Sequence, residues 1–330
     1  MRQDDVQWQI TRRLFPAYCA LPSPRPSPRP APSAVNSIRF LPLAGVVFAL
    51  MAALFNGTVG VLSRFAFDAG LDSESVAFWR CALALSIATL CILSRSNGIQ
   101  RLVSTFVGSW KIAICASLGI FTLYHFETMA FQHAAIPFVA IVVFSGVIGA
   151  IALNIFILKE VVTFRKLIAI AVVFGGGAIL IASDGIGAGS AAGVWLALIA
   201  GLGYGSFIFA WKFFRLRSNL ETFWWFLAYG LMMLSVPFVM DGPVIPPADS
   251  VPWLVMLGIL PSFCGFYCTI LSVQYIDAYK TQVIEASEPV FSALCAAIFF
   301  HELLSGIGTI AAIAIILAIM VTVVPENRKP

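Results

Sequence analysis

Charge is what this sequence has least of. Asp, Glu, Lys and Arg supply 11% of its 330 residues, while 60% are hydrophobic. A soluble globular chain carries about a quarter charged residues, so composition alone places this one in a membrane. Residues 1–36 hold no apolar run of signal length, and no secretory signal is expected. Catalytic and nucleotide motifs are missing too. HExxH, GxSxG and a Walker loop are absent, and His301-Glu302 has no second histidine four residues on. GLGYG (201–205) lies inside an apolar run with no strand before it, so it is not a nucleotide loop. No cofactor is implied. Of seven cysteines, six fall in apolar runs. Cys264 and Cys268 share a helical face, but no His, Asp or Glu stands beside them at ligand spacing, which favours packing over metal binding.

What is present is long hydrophobic runs. Residues 1–40 read as a disordered, basic, proline-rich tail, with proline alternating through LPSPRPSPRPAPS. From Leu41 onward, ten runs of spanning length follow: 43–64, 75–94, 110–131, 134–157, 164–182, 191–213, 222–240, 252–274, 279–300 and 304–324. With the N-terminus inside, eighteen of the twenty Lys and Arg residues fall in cytoplasmic segments. The other two, Arg64 and Arg80, lie within or at the edge of spans. The outer loops carry acids instead: Asp68, Asp72, Glu74, Asp184, Asp241 and Asp249. This asymmetry predicts a multi-pass protein of the cell (inner) membrane with both termini cytoplasmic.

The chain also repeats itself. At an offset of 142, Gln132 falls on Gln274, Ser145 on Ser287 and Glu160 on Glu302. At an offset of 148, FNGTVGVLSRF (55–65) falls on GYGSFIFAWKF (203–213), which pairs Gly57 with Gly205 and Arg64 with Lys212. The predicted units are 41–183 and 190–325, five spans each. Five is odd, so the second copy enters the membrane upside down. Inverted repeats of this kind recur among secondary transporters. The expected fold is therefore all-α and polytopic, with ten transmembrane helices in two inverted five-helix repeats.

Four stretches carry a family likeness: AFWR (77–80), SEPVFSAL (287–294), LKEVVT (158–163) and FHELLS (300–305). With them, the chain resembles the drug/metabolite transporter superfamily in its EamA-like, ten-span branch, over about residues 43–324. Lys159 and His301 depart from the glycine usual before the recurrent glutamate, and Val147 aligns with Pro289 where the family usually has a proline in both halves. The resemblance implies a permease for small metabolites, amino acids or related compounds, most often in the export direction.

Polar residues inside the spans are the site candidates, because an ionised acid at mid-bilayer costs about 3 kcal/mol. Glu288, followed by Pro289, is the leading one: a midplane carboxylate for a cationic group or a coupling proton. The competing reading is a structural acid bonded across helices. Glu285, one turn earlier, is either its gate-side partner or merely interfacial. Arg80 lies at the depth of Glu127; the two either pair to hold adjacent helices, or Arg80 clamps a substrate carboxylate in the forked geometry arginine favours. Asn56 and Tyr204 fall at nearly equivalent repeat positions. With Tyr124, Trp79, Phe266 and Tyr267 they are candidates to line a polar and aromatic cavity. Glu160 and Glu302, at span ends, read as anchors and caps without substrate contact, and Thr163 and Ser305 as caps of the helices that follow. The partners implied are a small-molecule substrate and the lipid bilayer, not nucleic acid, with proton coupling resting on Glu288. A non-transporting scaffold or receptor and an intramembrane enzyme are the alternatives.

Overall fold

The computed structural model describes residues 34–106, 109–144, 190–276, 278–285, 287–303 and 305–323, with isolated positions between 153 and 179. Two compact units divide the chain, Met1–Phe40 and Leu41–Pro330. The expected tail lies outside the described residues up to position 33. Helix α1, Ala34–Asn56, begins inside the segment assigned to the tail, just beyond the last of the alternating prolines.

Every described element is helical. After α1 the chain pauses at Gly57-Thr58, where Gly57 N–H donates to Ala53 O and Thr58 Oγ1 bonds back to Phe55 O. It then resumes as α2, Val59–Asp68. Helix α3, Ser73–Leu93, starts where Asp72 accepts the Ser75 N–H at 2.7 Å, a side-chain N-cap. A short α4, Gly98–Thr105, occupies what the sequence marks only as a loop. The third span is α5, Trp110–Ala116, a π-helical turn over Ser117–Thr122, and α6, Leu123–His133. Helix α7, Ile136–Phe144, opens the expected fourth span. The rest of that run, and most of the fifth, falls outside the described residues.

The second half follows the same plan. Helix α8, Ala191–Phe213, is capped by Ser190, and α9, Leu220–Met240, by Asn219. A 3-10 turn at Ala248–Ser250 leads into α10, Val251–Leu257; a π-helical turn over Gly258–Gly265 and α11, Phe266–Tyr275, complete that span. The ninth run is two helices, α12, Ala278–Glu285, and α13, Glu288–Phe300. The last is α14, Gly306–Val323, where Ser305 Oγ accepts from Gly308 N–H as a cap. Six of these segments are long and apolar enough to cross a bilayer; α13 is a shorter apolar helix beside them.

The core is apolar, as in a water-soluble fold, and the exterior is apolar as well. Arg80, Glu127, Glu285 and Glu288 are buried, while Leu90, Trp195, Met240 and Ile310 are exposed. Such an apolar exterior belongs against lipid, and the chain is a multi-pass membrane protein. Glycines set the closest approaches. A Cβ on Gly201 would strike the backbone carbonyl of Val143, and one on Gly203 would sit 2.6 Å from Thr122, so α8 lies directly on the third and fourth spans.

The repeat is visible in the contacts. The first span packs on α10 and α13; the sixth, its counterpart, packs on α6 and α7. The two π-helical turns stand at matching places under the 142-residue offset. The sharpest match is at the ends of α2 and α8. Arg64 donates to Phe131 O at 2.7 Å and Ala134 O at 2.8 Å. Lys212 donates to Val273 O at 2.9 Å and Ile276 O at 3.3 Å. Each second acceptor lies 142 residues after the first. These clusters sit at opposite ends of the molecule. Helix α8 starts beside the Arg64 cluster, where Ser190 N–H donates to His133 O, and runs 23 residues, about 33 Å, to reach Lys212.

Candidate functional site

The interrupted helices meet at one place. The ninth run, 279–300, is not one continuous helix, and Pro289 does not interrupt a helix interior. It occupies the first turn of α13, where a missing N–H costs nothing, and the chain turns at Ser287 just before it. Glu288 therefore stands at a helix start, buried, about 18 Å along α13 from its far end. The break in the first span lies against it: a Cβ on Gly57 would come within 2.6 Å of Phe291 Cβ and 3.2 Å of Ser292 N. Two broken helices, one from each half, thus bring Asn56 and Glu288 together.

Around them is a small cavity lined by Asn56, Val59, Arg80, Leu123, Tyr124, Glu127, Val143, Phe144, Tyr204, Pro261, Phe266 and Glu288. A water centre has about 20 Å³ of room in it, space for one or two water molecules and no metabolite. Tyr124 and Phe266, 142 residues apart, each follow one of the π-helical turns, and their rings meet edge to face at 5.3 Å. Extra turns of this type re-aim the residues after them, and here they aim two aromatics at one hollow.

On one wall, the Arg80 guanidinium lies over the Tyr124 ring, 3.8 Å from its centroid, and its Nη2 reaches Glu127 Oε2 at 3.3 Å. On another, the Tyr204 hydroxyl donates to Glu285 Oε2 at 2.6 Å, and Thr269 Oγ1 donates to Glu285 Oε1 at 2.7 Å. Thr269 is the repeat counterpart of Glu127, so in each half this position binds a buried ionisable side chain. Two buried polar atoms of the lining residues have no protein partner among the described residues: Asn56 Oδ1 and Arg80 Nε. Buried polar groups ordinarily find partners, and these atoms have no open surface in this shape, so they can meet a ligand only after the walls move.

The structure brings Glu288, Arg80, Asn56, Tyr204 and Glu127 to one cavity. Glu285 lies behind the Tyr204 ring, both oxygens engaged. Tyr267 does not reach the cavity; its ring packs on Phe223 and Phe263, because its side of α11 turns toward α9. Trp79 also points away, donating to Val244 O at 3.1 Å. Glu302 is more than a cap. Its Oε2 accepts the Ile136 N–H at 2.8 Å, and its Oε1 pairs with Arg64 at 3.1 Å. Sequence reasoning missed Thr269, although continuing the 142-residue offset from Glu127 finds it. Glu160 lies outside the described residues. Among the described residues no cluster of three His, Cys, Asp or Glu could hold a metal ion.

Comparison with known proteins agrees with this architecture. No protein of curated function matches the sequence at a significant level. A solved crystal structure superposes with a TM-score of 0.63 over 85% of this chain and 96% of its own, at 15% sequence identity, a likeness of fold. A family profile described as the EamA-like transporter family matches twice, over residues 43–182 and again over 191–324. Those two matches span both halves and reproduce the internal repeat, and the chain belongs to the EamA-like transporter family.

Proposed function

We propose that this chain is a ten-span secondary transporter that exports an amino acid or a related amine-bearing metabolite by alternating access between two inverted five-span repeats. The termini are cytoplasmic and the membrane is the inner one. Glu288 receives the ammonium group, with Asn56 beside it. Arg80, through its free Nε, receives the carboxylate. Tyr204 and Tyr124 form the polar and aromatic walls.

The observation that carries this reading is the cavity itself. It lies between the halves, and within a mostly apolar wall it draws Asn56, Arg80 and Glu127 from the first and Tyr204 and Glu288 from the second. A cavity with room for one or two waters is too tight for a metabolite, so loading requires another conformation. Midplane sites at broken helices between repeats are how such carriers are built. Glu288 also carries the coupling: its carboxylate holds either a proton or the substrate cation.

The test is transport of radiolabelled amino acids and amines in proteoliposomes, after a thermal-shift screen of the purified protein. A ligand that raises the unfolding temperature of the parent protein, but not of Glu288→Gln or Arg80→Gln, is the expected result. Transport that is undiminished in Glu288→Gln across the pH range would remove both the site and the coupling.

A further inference from the structure

Among the described residues, the Arg64 cluster has a partner from the other half; Glu160, the repeat counterpart of that partner, lies outside the described residues. Both cations hold two carbonyls of their own half. Arg64 also pairs with Glu302, which belongs to the other half, and that same carboxylate accepts the first free N–H of α7. One side chain from the second repeat therefore fastens the first and fourth spans of the first repeat at this end. Beside it Phe65 stacks on Trp253 at 4.4 Å and touches Phe300 at 5.0 Å, so the end is plugged as well as tied.

The molecule holds a second ion pair for comparison. In Arg80–Glu127 the side chains are 1% and 7% exposed; in Arg64–Glu302 they are 26% and 22% exposed. A buried pair that parts leaves a charge without water, so Arg80–Glu127 is held together throughout. A partly exposed pair loses less on parting, because neither group is left as deeply buried as Arg80 or Glu127 would be. Arg64 and Glu302 therefore have the chemistry of a reversible contact, at a junction between repeats, five residues along α2 from Val59 on the cavity wall.

We propose that Arg64 and Glu302 are the latch that keeps the Arg64 end of the transporter closed, and that they separate each time the cavity opens to that face. Release of Glu302 also frees the start of α7. The fourth span, whose Val143 and Phe144 line the cavity, then moves away from α13. Arg64 stays on Phe131 O and Ala134 O, so the break falls between the repeats and not within one. This rests on the alternating-access reading above.

The experiment uses the full chain in proteoliposomes with one added thiol, Val59→Cys, on the cavity wall toward the latch. A membrane-impermeant maleimide is applied from one face and then from the other, and modification of the peptide that carries the introduced thiol is read by mass spectrometry. Glu302→Gln is expected to speed labelling from the Arg64 face about tenfold, within the range of ordinary site couplings, and to slow it from the Lys212 face. Arg64→Gln should do the same, and the double variant no more than either alone. Glu302→Asp, which keeps the charge, should fall between and covers the case in which Glu302→Gln does not fold. Labelling that rises equally from both faces would show mere loosening and overturn the latch, as would face-dependent labelling that ignores Glu302. Labelling from neither face in any variant would overturn alternating access along with it.

Discussion

Arg80 lies flat over Tyr124 while its Nη2 holds Glu127 at 3.3 Å, so one guanidinium joins the second span to the third through a ring face and a carboxylate together. A planar guanidinium can lie flat on a ring and pair with a carboxylate at its edge, a geometry that a lysine ammonium cannot copy. Arg80→Met should leave Glu127 buried and unpaired, and cost about 3–5 kcal/mol. Changing both residues to apolar ones should cost less than the two single losses summed. Denaturation of the detergent-solubilised protein measures this, and additive costs would contradict the pairing.

Glu285 keeps both oxygens occupied, one by Tyr204 and one by Thr269. Thr269→Val preserves shape and removes one donor, and should destabilise the fold by about 1–3 kcal/mol. Tyr204→Phe should cost a similar amount and also weaken substrate binding, since Tyr204 lines the cavity and Thr269 does not. Thermal unfolding, with and without a ligand found by the screen, separates the two effects.

Gly57 is placed where the breaks of the first and ninth spans touch. A methyl group there meets Phe291 and the backbone of Ser292. Gly57→Ala should therefore lose about 1–3 kcal/mol through overpacking. Gly70→Ala is the contrasting case. Nothing stands within 4 Å of an added Cβ there, but the backbone has φ +93°, so its cost is conformational. Unfolding midpoints check both, and only Gly57→Ala should also slow transport.

The site was legible in the sequence to the extent that it breaks the rule of its surroundings. Asn56, Arg80, Glu127 and Glu288 stand out because polar side chains are costly in lipid, and the structure gathers them. The apolar wall, Val59, Leu123, Val143 and Phe144, carries no such mark among so many similar residues. Tyr267 is equivalent to Tyr124 by chemistry, and only the rotation of its helix sends it elsewhere. Likewise the π-helical turn at Ser117–Thr122 leaves no signature in composition, while the one at Gly258–Gly265 is marked only by Pro261 inside the helix. The repeat could be read from spacing alone. That Glu302 would meet Arg64, 238 positions away, could not, because a glutamate at a span end satisfies a helix cap equally well.

The tightness of the central hollow decides which side chains a ligand must push aside. With room for one or two waters beside Glu288, a guest of metabolite size can enter only by displacing the rings of Phe144 and Phe266, which come from different halves, so filling the site and moving the repeats apart are one event.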